Sequence, residues 1–422
     1  MYEARPDTLP ELDIVSHDVY EHGVPHADYD QFRRDAPVAW INEGPHNGHH
    51  GQGFWSLTRW DDIVAVHKDW RRFSSELGGT EIEELDADAI VARRTMLETD
   101  PPRHTALRQL VNPAFAKAAM ARHTATAVAV VDELLDDIVG AGPVDVVEHL
   151  ARELPIRMLV EILGIPRADA PALFMLADKI VYNADPDYTD LVSDRENTDP
   201  YRLLPFRSPA SLEVFDYFDR LTEHRRRDPA ADVVTVLADA SCNGEPLTER
   251  ERATFLLLLL IAGNETTRHS LTQAVIALAQ HPEAYSHLRA DATVVDTAVE
   301  ELLRWACPQI HFRRTATVDT QLCDITIAAG EKVVTWYIAA NHDPAVFAEP
   351  HRLDLARRPN PHVTFGGGGP HLCLGQWMAR MEMRVFLTAL ASRVTGIELA
   401  GEVERVRSNF INGIKRCPAV LT

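Results

Sequence analysis

The sequence predicts a mainly α fold with a smaller β region, and three observations predict it. From Leu247 the run LTERERATFLLLLLIAGNETTRHSLTQAVIALAQ keeps helical character until His281 and Pro282 stop it. Ala116 to Arg167 is predominantly helical in period, with breaks at Gly140 to Pro143 and at Pro166. Strand character enters in two short stretches, Pro37 to Trp60 and the residues after Pro308.

At 422 residues and 45% hydrophobic content the chain can bury a sizeable core. No fixed-period repeat or low-complexity linker divides it, so one unit over residues 1–422 is expected. The 63 acidic against 42 basic side chains leave a net charge of -21, which argues against nucleic acid or an anionic membrane as partner. Five scattered cysteines without a CxxC pair do not make a disulfide framework, and a reducing cytoplasm is the simpler setting. The opening MYEARPDTLPELDIV is polar and proline-broken, so neither a signal peptide nor an anchor is expected. The longest apolar run, Phe255 to Ala262, falls short of the roughly 18 residues of a membrane span.

Taken in order, Pro37 to Trp60 is strand material interrupted by PHNGHHGQG, where His46, His49 and His50 can bind a metal or simply form a solvated hairpin tip. Asp61 to Trp70 has helical spacing, and SSELGGTEIEELDADA after Phe73 reads as a flexible connection. Pro101 and Pro102 open a helix on which His104 and Arg108, four apart, share a face. Asp185 to Pro209, rich in Asp, Pro, Ser and Arg, exceeds the usual loop length and reads as either a lid or an insertion without a role. Thr248 and Glu251 form a capping-box signature for the long helix, whose apolar stretch to Ala262 is expected to be buried. Inside it, Gly263 and the ionisable Glu265 cost stability unless something offsets them. Glu301 and Arg304 lie three apart on a helix ended by Pro308, and PQIHFRRTA leads into a strand.

The stretch around which the chain is organised runs from Thr364: TFGGGGPHLCLGQWMARMEMRVF. Gly366 to Pro370 cannot hold a regular element and must form a loop able to approach something closely. Leu374, Met378, Met381, Val385 and Phe386 recur at helical spacing, which sets Cys373 at or just before a helix N-terminus. Free N–H groups and the helix dipole there favour thiolate over thiol, giving a metal ligand or a nucleophile. A phosphate cradle lacks its Lys-Ser/Thr pair, a nucleophile would need His371 as base only two residues away, and a merely buried cysteine stays open.

These residues resemble the haem-binding loop of the cytochrome P450 family, Phe-Gly-x-Gly-x-His-x-Cys-x-Gly, with Gly369, His371, Cys373 and Gly375 in register from the cysteine. The family places Phe seven residues before Cys; Phe365 stands eight before it, with one extra residue in the glycine run. An extra glycine of this kind occurs in bacterial members that resemble steroid- and branched-lipid-oxidising enzymes. AGNETT resembles the family's Ala-Gly-x-Asp/Glu-Thr segment, and Glu301-Leu-Leu-Arg304 its Glu-x-x-Arg.

The resemblance implies the cytochrome P450 fold, with haem b bound non-covalently and Cys373 as the proximal thiolate on its iron. It implies that Phe365 and Gly375 shape that loop, and that His104, Arg108, His371 and Arg314, with Arg313 as a substitute for the last, neutralise the haem propionates. In the family the long helix opens beside the haem; Thr266 would hydrogen-bond the bound oxygen species and Glu265 take part in relaying protons. Arg357 would join Glu301 and Arg304 in an ion network behind the haem. Ala262, Ile310, His311 and Phe312 are candidates for the substrate pocket, and the connections after Phe73 and Asp185 would lie over it.

The expected activity is that of a soluble, bacterial-type monooxygenase, inserting one atom of O2 into an apolar organic substrate such as a steroid, terpenoid, lipid or aromatic. Electrons would come from a ferredoxin and ferredoxin reductase, with Arg358, Arg380 and Arg384 as a basic docking cluster. A peroxygenase or oxidative-coupling enzyme, and a haem- or ligand-binding protein without turnover, are the alternatives.

Overall fold

The computed structural model describes residues 5–43 and 53–422. His46, His49 and His50 lie outside the described residues.

Helices dominate, and the longest, Glu249–Gln280, starts where the sequence places its cap. The Thr248 hydroxyl accepts from the Glu251 backbone N–H while the Glu251 carboxylate accepts from that of Thr248, so two otherwise orphaned donors are satisfied reciprocally. The helix packs between the Ala210–Arg227, Glu153–Leu163 and Val295–Ala306 helices. Leu256 and Leu260 are buried in a large apolar cluster, while Leu257, Leu258, Ile261 and Ala262 line a cavity. Behind it Gln376–Arg393 lies against Lys117–Ile138.

The β region centres on a five-stranded sheet ordered Val38–Ile41, Phe54–Leu57, Lys332–Trp336, His311–Ala316, Phe73–Ser74. Only the pairing of Lys332–Trp336 with Phe54–Leu57 is parallel. A second apolar cluster, including Trp336, Phe54 and Ile338, covers this sheet.

The segment from Asp185 to Pro209 contains short turns at Asp199–Tyr201 and Pro205–Arg207 and is fastened rather than loose. Arg407 holds Asp194 at 2.6 Å, Lys415 holds Asp185 at 3.0 Å, Arg207 pairs with Glu83, and Arg202 with Asp86 at 3.0 Å. The last two pairs tie it to the connection that follows Phe73. No helix among the described residues is long and apolar enough to cross a membrane.

Candidate active site

One cavity joins these elements. Cys373 lies on its wall, three residues before the Gln376–Arg393 helix, with its backbone N–H donating to the Phe365 carbonyl at 2.9 Å. The other cysteines, also free thiols, do not line it. Burial pushes the Cys373 thiol up, and the N–H groups of Gly375 and Gln376, with Arg108 and Arg380, offset this only in part. Desolvation here outweighs the helix-start N–H groups that, by sequence, favour a thiolate.

The glycine run is shaped by contact. Gly366, Gly368 and Gly369 have φ of 99°, 97° and 72°, a region that side chains other than glycine rarely adopt. The run packs on the end of the Trp60–Lys68 helix: a Cβ on Gly369 would lie 2.2 Å from the His67 carbonyl oxygen, and one on Gly367 3.1 Å from the Val64 Cα. Phe365 lines the cavity with the Arg380 guanidinium 4.3 Å from its ring centroid. Gly369→Ala is expected to cost at least about 1–3 kcal/mol, because backbone must move. Gly366→Ala, with nothing closer than 3.8 Å, should cost less. Thermal unfolding midpoints compare them, and equal midpoints would refute the packing argument.

A cationic wall stands beside the cysteine. His104, Arg108, Arg314 and His371 all line the cavity. The rings of His104 and His371 lie 4.2 Å apart, Arg108 donates to the Pro370 carbonyl at 3.2 Å, and Arg314 reaches His67 Nδ1 at 3.3 Å. None of the four pairs with a carboxylate among the described residues, and His104 Nδ1 and His371 Nε2 are buried without a hydrogen-bond partner. Burial, with Arg108 and Arg314 nearby, holds His104 down to about 4, and burial lowers His371 further. Such a cluster lacks an anion, and its donor set would fit the two carboxylates of a haem.

Strand alternation decides between the two arginines. On His311–Ala316 successive side chains face opposite sides, so Phe312 and Arg314 line the cavity while Arg313 turns to the Glu83 carbonyl at 2.8 Å. The same alternation corrects the assignment of His311 to the pocket: its ring packs against Trp336 and Phe410 instead. Ile310, before the strand, is fully buried in the sheet cluster and also leaves the pocket. Ala262 lines it.

The long helix is continuous through Ala262-Gly263-Asn264-Glu265-Thr266-Thr267, without the opening expected from the resemblance. Its local adjustment is the Thr266 hydroxyl, which donates to the Ala262 carbonyl at 2.9 Å. Gly263 allows close approach, since a Cβ there would lie 2.8 Å from Leu159. Thr266 and Glu265 both border the cavity, but the Glu265 carboxylate is engaged by Arg268 and by the Asn264 amide at 2.7 Å. Arg268 also holds Asp178 at 2.9 Å, and Asp178 faces Arg152, which is partly exposed, at 3.6 Å. Burial and the neighbouring Asp178 push the Glu265 carboxyl well above its ordinary range.

Glu301 accepts from Arg304 at 2.8 Å, from Arg357 at 3.0 Å and from the Asn360 amide at 3.0 Å, and both members of the Glu301–Arg304 pair are fully buried. Arg304 donates further to the carbonyls of Asn341 at 2.7 Å and Pro350 at 3.0 Å. The proposed basic cluster is weaker than its sequence suggests. Arg380 is held by Glu300 at 2.7 Å and Arg384 pairs with Asp296, leaving the exposed Arg358 without an ion pair among the described residues. Sequence reasoning missed several cavity residues, among them Leu159, Val181, Phe206 and Phe410. They come from segments that carry no motif, and only the fold brings them together.

Residues 61–394 match the family described as Cytochrome P450. The chain belongs to the cytochrome P450 family, which carries a haem-iron cofactor and acts as a monooxygenase. It is 33% identical to a steroid C26-monooxygenase of Mycobacterium tuberculosis, over 98% of this chain and 95% of the relative. It is 36% identical to a methyl-branched lipid omega-hydroxylase of the same organism, over 92% and 88%. A Mycobacterium marinum cytochrome P450 solved in complex with pseudoionone superposes with a TM-score of 0.89 at 36% identity, covering 99% of both chains. A cytochrome P450 from Bacillus megaterium solved with testosterone gives 0.81 at 28% identity, covering 96% and 99%.

Proposed function

We propose that this enzyme hydroxylates a lipid-like substrate, a steroid, branched lipid or terpenoid, using haem b held by Cys373 and by its cationic wall. The observation that carries the reading is the cavity: apolar side chains from Leu159, Val181, Ala262 and Phe312 share one space with Cys373 and Thr266. Relatives that act on steroids and methyl-branched lipids support the same class. When bound, the haem supplies the oxygen chemistry; the protein supplies the thiolate, the propionate partners His104, Arg108, Arg314 and His371, and a site that excludes water.

Thr266 offers a hydroxyl at the cavity wall and Glu265 is the proton donor behind it. Burial and Asp178 push its carboxyl well above the ordinary range, and the line Glu265, Arg268, Asp178, Arg152 leads from the cavity toward solvent. Where the fastened lid meets the connection after Phe73, the cavity is more polar. Burial holds the Glu81 carboxyl up to about 8, and Glu83 pairs with Arg93 at 2.7 Å. These groups suit a hydroxyl, ketone or acid at one end of an otherwise apolar substrate.

Electrons are taken to come from a ferredoxin and its reductase in the cytoplasm. Support for a basic docking face comes from Lys117 and Arg380, 5.0 and 5.5 Å from the ring centroid of the partly exposed Trp377, and from the exposed Arg358. The test of the substrate class is a Soret-band titration with a sterol, a methyl-branched fatty acid, a terpenoid ketone and a small aromatic. The lipid-like ligands should shift the band, and Phe206→Ala should weaken them about tenfold, or about 1.4 kcal/mol. A shift with the small aromatic alone would reject the lipid assignment.

A further inference from the structure

Away from the cavity, three histidines from separate segments meet: His26 at the start of the His26–Asp35 helix, His342 just past Tyr337–Ala340, and His351 in the following turn. One ring nitrogen of each can be chosen so that all three lie within 4.8 Å of one another. The rings of His26 and His342 are 4.4 Å apart, and those of His342 and His351 stack at 5.2 Å.

What distinguishes this group from a simple stack is that two of the rings already have one nitrogen partnered. His342 Nδ1 lies 2.9 Å from the Ile338 carbonyl, and His351 Nε2 lies 2.8 Å from Asp30 Oδ2. A carbonyl and a carboxylate as outer partners are what metal-bound histidines use to fix tautomer and ring orientation. They leave Nε2 of His342 and Nδ1 of His351 as the available lone pairs, while the His26 side chain has no hydrogen-bond partner among the described residues.

We propose that His26, His342 and His351 form a binding site for a divalent transition-metal ion of the zinc class, with a fourth position open to solvent beside the exposed His351. Zinc–nitrogen bonds of about 2.0–2.1 Å set tetrahedral ligands roughly 3.4 Å apart, so the rings need converge by no more than about 1.5 Å. Arg33 shares Asp30 at 2.6 Å, and Arg304 and Arg405 add positive charge nearby, which argues for moderate rather than tight affinity.

The position gives the ion a role. His342 follows Asn341 and His351 follows Pro350, the two residues whose carbonyls receive Arg304. A bound ion would therefore clamp together the two segments that hold the Glu301–Arg304 network.

The test uses untagged, full-length holoprotein carrying His46→Ala, His49→Ala and His50→Ala, so that ion held by that sequence is not counted. After chelator treatment it is titrated calorimetrically with zinc chloride at neutral pH. One equivalent should bind with a Kd on the order of micromolar, and the thermal unfolding midpoint should rise on zinc addition. His351→Ala and His26→Ala should each weaken binding at least about tenfold, and Asp30→Asn about tenfold. Unchanged haem content shows that the variants are folded, and His351 is exposed enough to be replaced without opening a core. Absence of saturable binding below about 0.1 mM, or undiminished affinity in His351→Ala, would overturn the site.

Discussion

Replacing Cys373 with alanine is expected to abolish the ferrous–carbon monoxide absorbance of a thiolate-bound haem and to lower substrate hydroxylation by at least about a thousandfold, the scale on which loss of an essential group acts. The structure makes this a sharp expectation. Of the five cysteines, Cys373 is the one whose residue lines the cavity. Its thiol is pushed up by burial, so an unliganded sulfur there would stay protonated and carry little reactivity. Cys307→Ala is the matched control, since Cys307 is fully buried but belongs to the sheet cluster. It should keep the absorbance and most of the turnover. Retention of the same absorbance by Cys373→Ala would remove the basis for any oxygen chemistry in this cavity.

How much was legible in the sequence depended on whether a feature is local. The capping box at Thr248 and Glu251, the helix after Pro102 and the strand after Pro308 rest on neighbours within a turn or two, and the structure has each of them. The fold class and the family follow from such local patterns repeated in the right order. Facing was less legible. PQIHFRRTA offers two arginines and two aromatic rings, and only the strand's pleat, fixed by its pairing with Lys332–Trp336, shows that Phe312 and Arg314 share the cavity side. Charge was legible as composition but not as pairing: Arg380 and Arg384 look basic in sequence, yet Glu300 and Asp296 lie far enough away along the chain that their pairing is a product of the fold. The segment from Asp185 to Pro209 was legible as an unusual loop, but its fastening to Glu83, Asp86, Arg407 and Lys415 requires the tertiary structure.

Arg304→Ala is expected to destabilise the protein by about 3–5 kcal/mol, the cost of leaving one member of a buried ion pair uncompensated. Glu-x-x-Arg recurs elsewhere in the sequence, as at Glu349 to Arg352, and the structure separates that pair from Glu301–Arg304 by burial. Glu301 and Arg304 are 0% exposed, whereas Arg352 and Glu349 are 69% and 71% exposed at a comparable 3.0 Å. In water the exposed pair is screened and loses side-chain entropy, so Arg352→Ala should leave the unfolding midpoint where it was. Removing Arg304 does more than break a pair. The Asn341 and Pro350 carbonyls lose their donor, and Glu301 is left to Arg357, the Asn360 amide and the Asp354 N–H. Against a total stability of about 5–15 kcal/mol, that loss should appear as a much lower midpoint and as poor haem retention. Arg304→Lys restores charge but not the fork that reaches a carboxylate and two carbonyls together, so it should rescue only part of the loss. Denaturant unfolding of the three variants decides the matter, and equal midpoints for Arg304→Ala and Arg352→Ala would mean that the buried network does not hold the fold behind the cavity.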